Sequence, residues 1–330
     1  MLVYTIKRLF MMIPVVLGVM IIVFFFQSVS DVDPTIMLLG SGAKEEARTE
    51  LREELGLNDP IVVQFGRYVW NFFTKGDLGT SFKSKLPVTQ ELMVCFPITL
   101  KLAFISVIVG VLLGIPLGAW SAVKQNSFAD GSIVTFSVIV EAIPGFWLAL
   151  LLISAFAVKL GWVPTSGLET WKGWILPSIV VSCGSVGTII RVTRSSMLET
   201  IRQDYICMAK AKGQTELKII LNHVLRNSMI PILAAIGNNL GIQLGGALVT
   251  ESIFAMPGIG KYAVDAINSR NYPAVLGSVV ILALTFSLVN LAVDLSYAYV
   301  DPKLRTSIAN ENRLKFLQRR SKPTVAKKEA

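Results

Sequence analysis

Charge is scarce in this chain. Only 16% of its 330 residues are Asp, Glu, Lys or Arg, while 53% are hydrophobic; soluble domains average about 25% charged and roughly 45–50% apolar. An ordinary soluble domain is thereby excluded, and a membrane protein is indicated. Histidine is nearly absent, with His223 the single example. The three cysteines, Cys95, Cys183 and Cys207, stand far apart, so neither a metal-ligand spacing nor a disulfide framework can be read, and free thiols are expected. No G-x-x-x-x-G-K-[ST] phosphate loop occurs. The nearest run, Gly258-Ile-Gly260-Lys261-Tyr262, lacks the leading glycine and ends in Tyr where Ser or Thr is required. With no nucleophile, base and orienter in a pattern either, the chain is not expected to be an enzyme or to hold a cofactor or metal.

The net charge is +9. Its basic residues fall in separate clusters between apolar runs, which is the pattern of topology-determining charge and gives no reason to expect a nucleic-acid partner. A span needs roughly 20 mostly apolar residues to cross about 30 Å of hydrocarbon. Six segments approach or meet that: Leu9–Phe26, Leu102–Ala122, Ser132–Val158, Trp174–Ile190, Ser228–Thr250 and Ala274–Val293, the fourth being short and weakest. Each must be helical, because lipid offers no partner to backbone polar groups. The first run is too long for the apolar region of a secretory leader and reads as a retained anchor, although Ser28-Val29-Ser30 resembles a cleavage site.

Lys7 and Arg8 place the N-terminus in the cytoplasm by the positive-inside rule. Six crossings then put the basic loop Arg191–Asn227 inside, together with a tail that carries Lys303, Arg305, Arg313, Lys315, Arg319, Arg320, Lys322, Lys327 and Lys328 and is expected to be disordered beyond Asn310. The segment from Ser28 to Pro97 falls outside. Within it Ala43–Leu55 reads as a charged helix ended by Gly56, and Ile61–Phe73 as an amphipathic one.

Gly110, Gly114 and Gly118 recur every four residues in the second span, and Gly237, Gly241 and Gly245 do so in the fifth. Such stripes let helix backbones approach, and ordinary helix packing is preferred over a tight core around a translocation path. Asn239 and Gln243 point away from the glycine face of the fifth span. They fit a water-filled cavity or hydrogen bonds to neighbouring helices equally well. Glu141, Glu251 and Asp294 lie within or at the edges of spans, where an acid must face protein, a cavity or headgroups. Glu141 is deepest and is the first candidate for a solute path, with a structural role equally open. Kinks are expected at Pro116 and Pro144.

The cytoplasmic loop holds two apolar patches at helical spacing. Tyr205, Met208 and Ala209 precede Gly213, and Leu217, Ile220, Leu221, Val224 and Leu225 follow it. Taken alone, these residues suit a groove in a partner protein or a lipid surface equally. However, the run Asp204-Tyr205, Ala209-Lys-Ala211-Lys-Gly213, His223, Arg226-Asn227 and Pro231 resembles the coupling loop of permease subunits from ABC importers of the oligopeptide, dipeptide and nickel branch. The likeness continues through Leu55-Gly-Leu-Asn-Asp-Pro60, Gly76-Asp-Leu-Gly79, Pro97-x-Thr99-Leu100, Gly114-Ile-Pro-Leu-Gly118, Ile143-Pro144, Glu251-x-Ile-Phe, Pro257-Gly-Ile-Gly260 and Asp301-Pro302. One departure is Cys207-Met208-Ala209, where the general form of the loop begins Glu-Ala-Ala.

The resemblance implies an all-α polytopic membrane protein with a cytoplasmic coupling helix and a partly helical outer loop. Its parts would be a tail and first span (1–27), an outer loop (28–97), a five-helix core (98–305) with coupling loop 191–227, and a basic tail (306–330). It also implies partners: a second homologous permease, two ATPase subunits docked on Asp204, Tyr205, Ala209, Ala211, Gly213, His223 and Arg226, and an external solute-binding protein. Import of small peptides, a glutathione-like molecule or a nickel complex across a prokaryotic inner membrane is the implied activity. The alternative is an ion-coupled transporter using Glu141 or Asp294, for which no internal repeat between the halves is evident.

Overall fold

The computed structural model describes residues 2–29, 34–40 and 42–300. The tail cations from Lys303 onward, and Asp301-Pro302, lie outside the described residues. Helix α1 (Leu2–Val29) is the first span, and the segment expected outside holds α2 (Pro34–Leu39), α3 (Glu45–Glu54) and α4 (Ile61–Lys75). In α3 the acids Glu45 and Glu46 occupy the first turn and Arg52 the last, the order the helix dipole favours. Helix α4 stops at Gly76, whose φ of 65° is left-handed and turns its N–H back onto Phe72 O at 3.0 Å.

Helix α5 (Val88–Val123) is far longer than the apolar run Leu102–Ala122 inside it, so the outer segment closes before Val88 instead of at Pro97. Pro97 and Pro116 are both accommodated within this continuous helix. The third span is different. It is divided into α6 (Phe128–Ala142) and α7 (Gly145–Leu152), the latter running on as a π-helical segment, Ile153–Lys159. The two halves meet at 93°, a break where the sequence suggested a kink. Pro144 has no N–H to donate and forces Ile143 into an extended conformation, φ −72° and ψ 121°.

Helix α8 (Ile175–Ile201) overturns the short fourth span. It runs 27 residues, so Arg191 and Arg194 lie on the helix, and the loop expected from 191 begins at Arg202. Three further helices follow: α9 (Asp204–Ala211), α10 (Glu216–Ile219), and α11 (Arg226–Ile253), which is joined to α10 by a π-helical turn, Ile220–Leu225. The second helix of the loop is therefore continuous with the fifth span. An outer helix, α12 (Ile259–Asn268), leads to α13 (Tyr272–Val300).

Among the described residues, five helices are long and apolar enough to cross a membrane, or six if the bent pair counts as one. The packing favours six. Asp130, at the start of α6, meets Arg194; Glu141 lies beside Gly187; Gly145 lies beside Val180; and the π segment packs near Trp174. The bent pair thus keeps pace with α8 along a full crossing.

α8 is the hub, packed against α5, α6, α7 and α11. Its tightest seam is with α5. A Cβ built on Gly110 would stand 2.8 Å from Ser185 Cβ, one on Gly114 2.7 Å from Ile189 Cγ2, and one on Gly118 2.6 Å from Ile190 O. No side chain fits there, so the backbones touch and gain dispersion along the whole seam. Gly237 and Gly241 meet Val293 and Phe286 of α13 in the same way. Gly245 is exposed and faces open space, so the stripe on α11 stops one turn early. α1 lies on the outside, burying Val16, Met20 and Phe24 while Phe10, Ile21, Ile22, Phe25 and Phe26 remain exposed for lipid.

Replacing Gly114 by Leu should force α5 from α8 and destabilise the protein by about 3 kcal/mol, the upper range for an overpacked core. The apparent melting midpoint in detergent measures this. Gly245→Ala should leave that midpoint unchanged, since nothing lies within 4 Å of the added carbon.

Candidate functional site: the cytoplasmic loop and the polar residues of the spans

The loop after α8 is built on a small apolar cluster. Ile206 and Ala209 of α9 turn inward onto Ala122, Met197, Ile219 and Val224. Ile206 was not singled out in the sequence, although its position three residues before Ala209 is the signal for a shared face. Gly213, at φ 74°, takes the chain round the turn, its N–H reaching Lys210 O at 2.9 Å and that of Gln214 reaching Ala209 O at 3.3 Å. The turn is fastened at its far side by Gln214 Oε1 and His223 Nε2, 2.8 Å apart. Asn227 Nδ2 donates to the Tyr205 hydroxyl at 2.9 Å, and Thr200 meets Ser228 at 3.0 Å.

These contacts divide the two expected patches. Ala209 and Val224 belong to the interior, while Tyr205, Met208, Leu217 and Leu221 are exposed to 41%, 60%, 68% and 51%. An outward apolar row is left on a rigid hairpin. Asp204, Ala211 and Arg226 are exposed around it, and His223 is half-buried.

The five polar residues expected along a path do not converge; each has its own partners. Gln243 donates to Val181 O at 2.8 Å and Ser185 Oγ at 2.6 Å, tying α11 to α8, and Asn239 donates to Ala235 O of its own helix at 2.8 Å. Both are more than nine-tenths buried within the chain. Asp294 pairs with Arg8 at 2.8 Å, joining α13 to peripheral α1.

Glu251 is wholly buried. Thr99 Oγ1 donates to its Oε1 at 2.7 Å and Lys261 N–H to its Oε2 at 3.1 Å, while Ile259 N–H donates to Thr99 Oγ1 at 2.8 Å. The side chain fills the space that a Cβ on Gly258 or Gly260 would need. The run that superficially resembles a phosphate loop therefore wraps an internal carboxylate at the N-terminus of α12, where backbone donors favour an anion. Nearby, burial and the Glu91 carboxylate push the Tyr262 phenol well above the usual tyrosine range, so it stays protonated and donates to Glu91 at 2.7 Å.

Two ion pairs join α6 to α8. Arg194 forks onto Asp130, with Nε to Oδ1 at 2.7 Å and Nη2 to Oδ2 at 2.8 Å; Ser121 Oγ adds a 2.5 Å donation and Asn126 N–H one of 2.9 Å. Asp130, absent from the sequence-based candidates, is signalled by the spacing Ser127-x-x-Asp130 at a helix start: Ser127 Oγ caps α6 by accepting from Asp130 N–H. The second pair is Glu141 with Arg191, and Thr188 Oγ1 stands 3.4 Å from Glu141. Asp130→Ala should cost about 3 kcal/mol, because it strands a half-buried guanidinium, and a joint Asp130→Asn/Arg194→Gln exchange should cost less. Melting midpoints decide; equal losses would mean that the carboxylate acts through Ser121 and Asn126 alone.

Residues 114–306 match the family described as the binding-protein-dependent transport system inner membrane component, and residues 1–103 match the N-terminal membrane component of such systems. The glutathione transport system permease protein GsiC of Salmonella paratyphi A is 39% identical, with 92% of this chain and 98% of that protein covered. The dipeptide transport system permease protein DppB of Alkalihalophilus pseudofirmus is 38% identical, with 92% of this chain and 100% of that protein covered. Among solved structures, an inward-facing MetNI methionine ABC transporter has a chain of similar fold, at a TM-score of 0.56 and 21% identity, covering 64% of this chain and 97% of that one. These findings support the importer-permease reading over the ion-coupled one. Alike over nine-tenths of its length to two transport permeases, and matched over residues 1–103 and 114–306 by two family descriptions, the chain belongs to the binding-protein-dependent transport system inner membrane components.

Proposed function

We propose that this chain is the permease of an ABC importer that moves small peptides, or a related solute such as glutathione, into the cell. The substrate class rests on the named relatives, which are glutathione and dipeptide permeases. A second homologous permease would complete the path, an external binding protein would deliver the solute, and two ATPase subunits would hydrolyse the ATP. Lys7, Arg8 and the cations between Arg202 and Arg226 support cytoplasmic placement of the N-terminus and of the α9–α10 hairpin.

The observation that carries the coupling role is the outward row of Tyr205, Met208, Leu217 and Leu221. A hairpin held by Ile206, Ala209 and Val224 on one side, and apolar on the other, suits insertion into a partner's cleft. Because α10 runs through the π turn into α11, and α9 follows α8 after a two-residue link, a push on the hairpin acts directly on two spans. ATP binding would thus bias an equilibrium between outward- and inward-open arrangements. Asp204, Ala211, Gly213, His223 and Arg226 surround or shape this hairpin and are assigned to the same role.

Met208→Asp and Leu217→Asp, both on the outward row, should leave the fold intact yet reduce ATPase co-purification by about tenfold or more, as loss of an interface hot spot does. Wild-type recovery of the ATPases with both variants would remove the hairpin from the interface.

A further inference from the structure

One face of α8 has no cover among the described residues. Gly184, Thr188, Arg191, Ser195 and Glu199 succeed one another at steps of four, three, four and four, which aligns them along one side of the helix. Gly184, Ser195 and Glu199 are exposed there, and Thr188 and Arg191 half-exposed. The contrast with α1 is direct: where that helix meets lipid it presents Phe10, Ile21, Ile22, Phe25 and Phe26. The open part of this α8 face is small or polar, with the half-buried Val192 and Leu198 flanking it.

Beside this face stands Glu141, ion-paired to Arg191. The Arg191 and Glu141 side chains are 39% and 38% exposed, which rules out lipid as their neighbour, since half-bare charges in hydrocarbon are prohibitively costly. Water, a polar solute or a polar face of a partner subunit must meet them. Among the described residues Thr188, 3.4 Å away, is the one further partner of the carboxylate, whereas Asp130 is gripped by Arg194, Ser121 and Asn126. Of the two pairs, Asp130–Arg194 has the fuller set of partners.

We propose that Glu141 and Arg191 form a solute-binding site in the path, selective for zwitterions, in which the solute's carboxylate takes Arg191 and its ammonium takes Glu141. This rests on the permease reading above. The charge balance gives the selectivity. With no solute the pair neutralises itself; with a zwitterion, two ion pairs replace one and the site remains neutral. An anion on Arg191 would strand Glu141, and a cation on Glu141 would strand Arg191, each leaving one charge of the pair without its partner. Gly184, Thr188 and Ser195 leave room along the face for the body of the solute.

The test uses the importer purified with its partner subunits in lipid nanodiscs, without the binding protein, its composition checked by native mass spectrometry. Saturation-transfer NMR is recorded with alanyl-alanine, its N-acetyl form and its C-terminal amide. The expected result is transfer to the free dipeptide, weaker by about tenfold for both blocked peptides, the scale of one lost charge-assisted hydrogen bond. The assembled Glu141→Gln/Arg191→Gln variant should fall to the blocked-peptide level, and Arg191→Lys should retain most of the signal. Equal transfer to all three peptides, none to the free dipeptide, or a wild-type signal in the double variant overturns the site in an intact importer. A preparation that contains no ATPase subunits overturns the permease reading instead, and the site with it.

Discussion

Two arginines inside a membrane span have to be neutralised, and much of the arrangement follows from how this chain does it. Arg191 and Arg194 lie on α8, and both are met by carboxylates of the same neighbour, α6. An opposite charge at contact is what makes a partly desolvated guanidinium tolerable. The requirement lays α6 along α8 from Asp130 to Glu141. Immediately beyond Glu141 comes the break at Ile143-Pro144, so the span stays straight only as far as the second ion pair and then turns through 93°. An acid in the last turn of a helix opposes the dipole, and Arg191 offsets that as well.

At the opposite end of the spans the same problem is solved without a cation. Glu251 is enclosed by Thr99 from α5, by the Lys261 N–H at the start of α12, and by two glycines that leave it room. Since these groups come from three elements, the carboxylate ties α5, α11 and α12 together. Gln243 adds a third polar tie, from α11 to α8. Between them lies the α5–α8 seam, where Gly110, Gly114 and Gly118 remove every side chain that would hold the backbones apart. The core is thus tied at both ends and along its centre. Its exposed polar face and the α9–α10 hairpin are the parts left for other molecules.

The helical class, the long spans and the two outer helices α3 and α4 were readable because each depends on local information: apolar run length, 3.6-residue periodicity, and glycine at a left-handed stop. The fourth span was read short for an equally plain reason. Hydropathy counts Arg191 and Arg194 as polar wherever they stand, whereas Asp130 and Glu141, some 50 to 64 residues away in the chain, cancel their charge. Similarly, the apolar residues of the loop were visible but their direction was not. Periodicity groups Tyr205, Met208 and Ala209 on one face, yet Ala209 touches the cluster around Met197 and the other two do not.

What the sequence alone determined is the membrane class, the apolar spans and the resemblance to an importer permease, since apolar length acts through lipid and needs no tertiary partner. Only the tertiary structure decided which polar residues are spent inside the chain and which are left open. Asn239, Gln243, Glu251 and Asp294 are polar like Glu141 and, like it, have partners in neighbouring backbone and side chains, but Glu141 and its partner Arg191 keep more than a third of their side-chain surfaces exposed. A polar group's availability depends on what packs against it, and helices distant in sequence supply that packing.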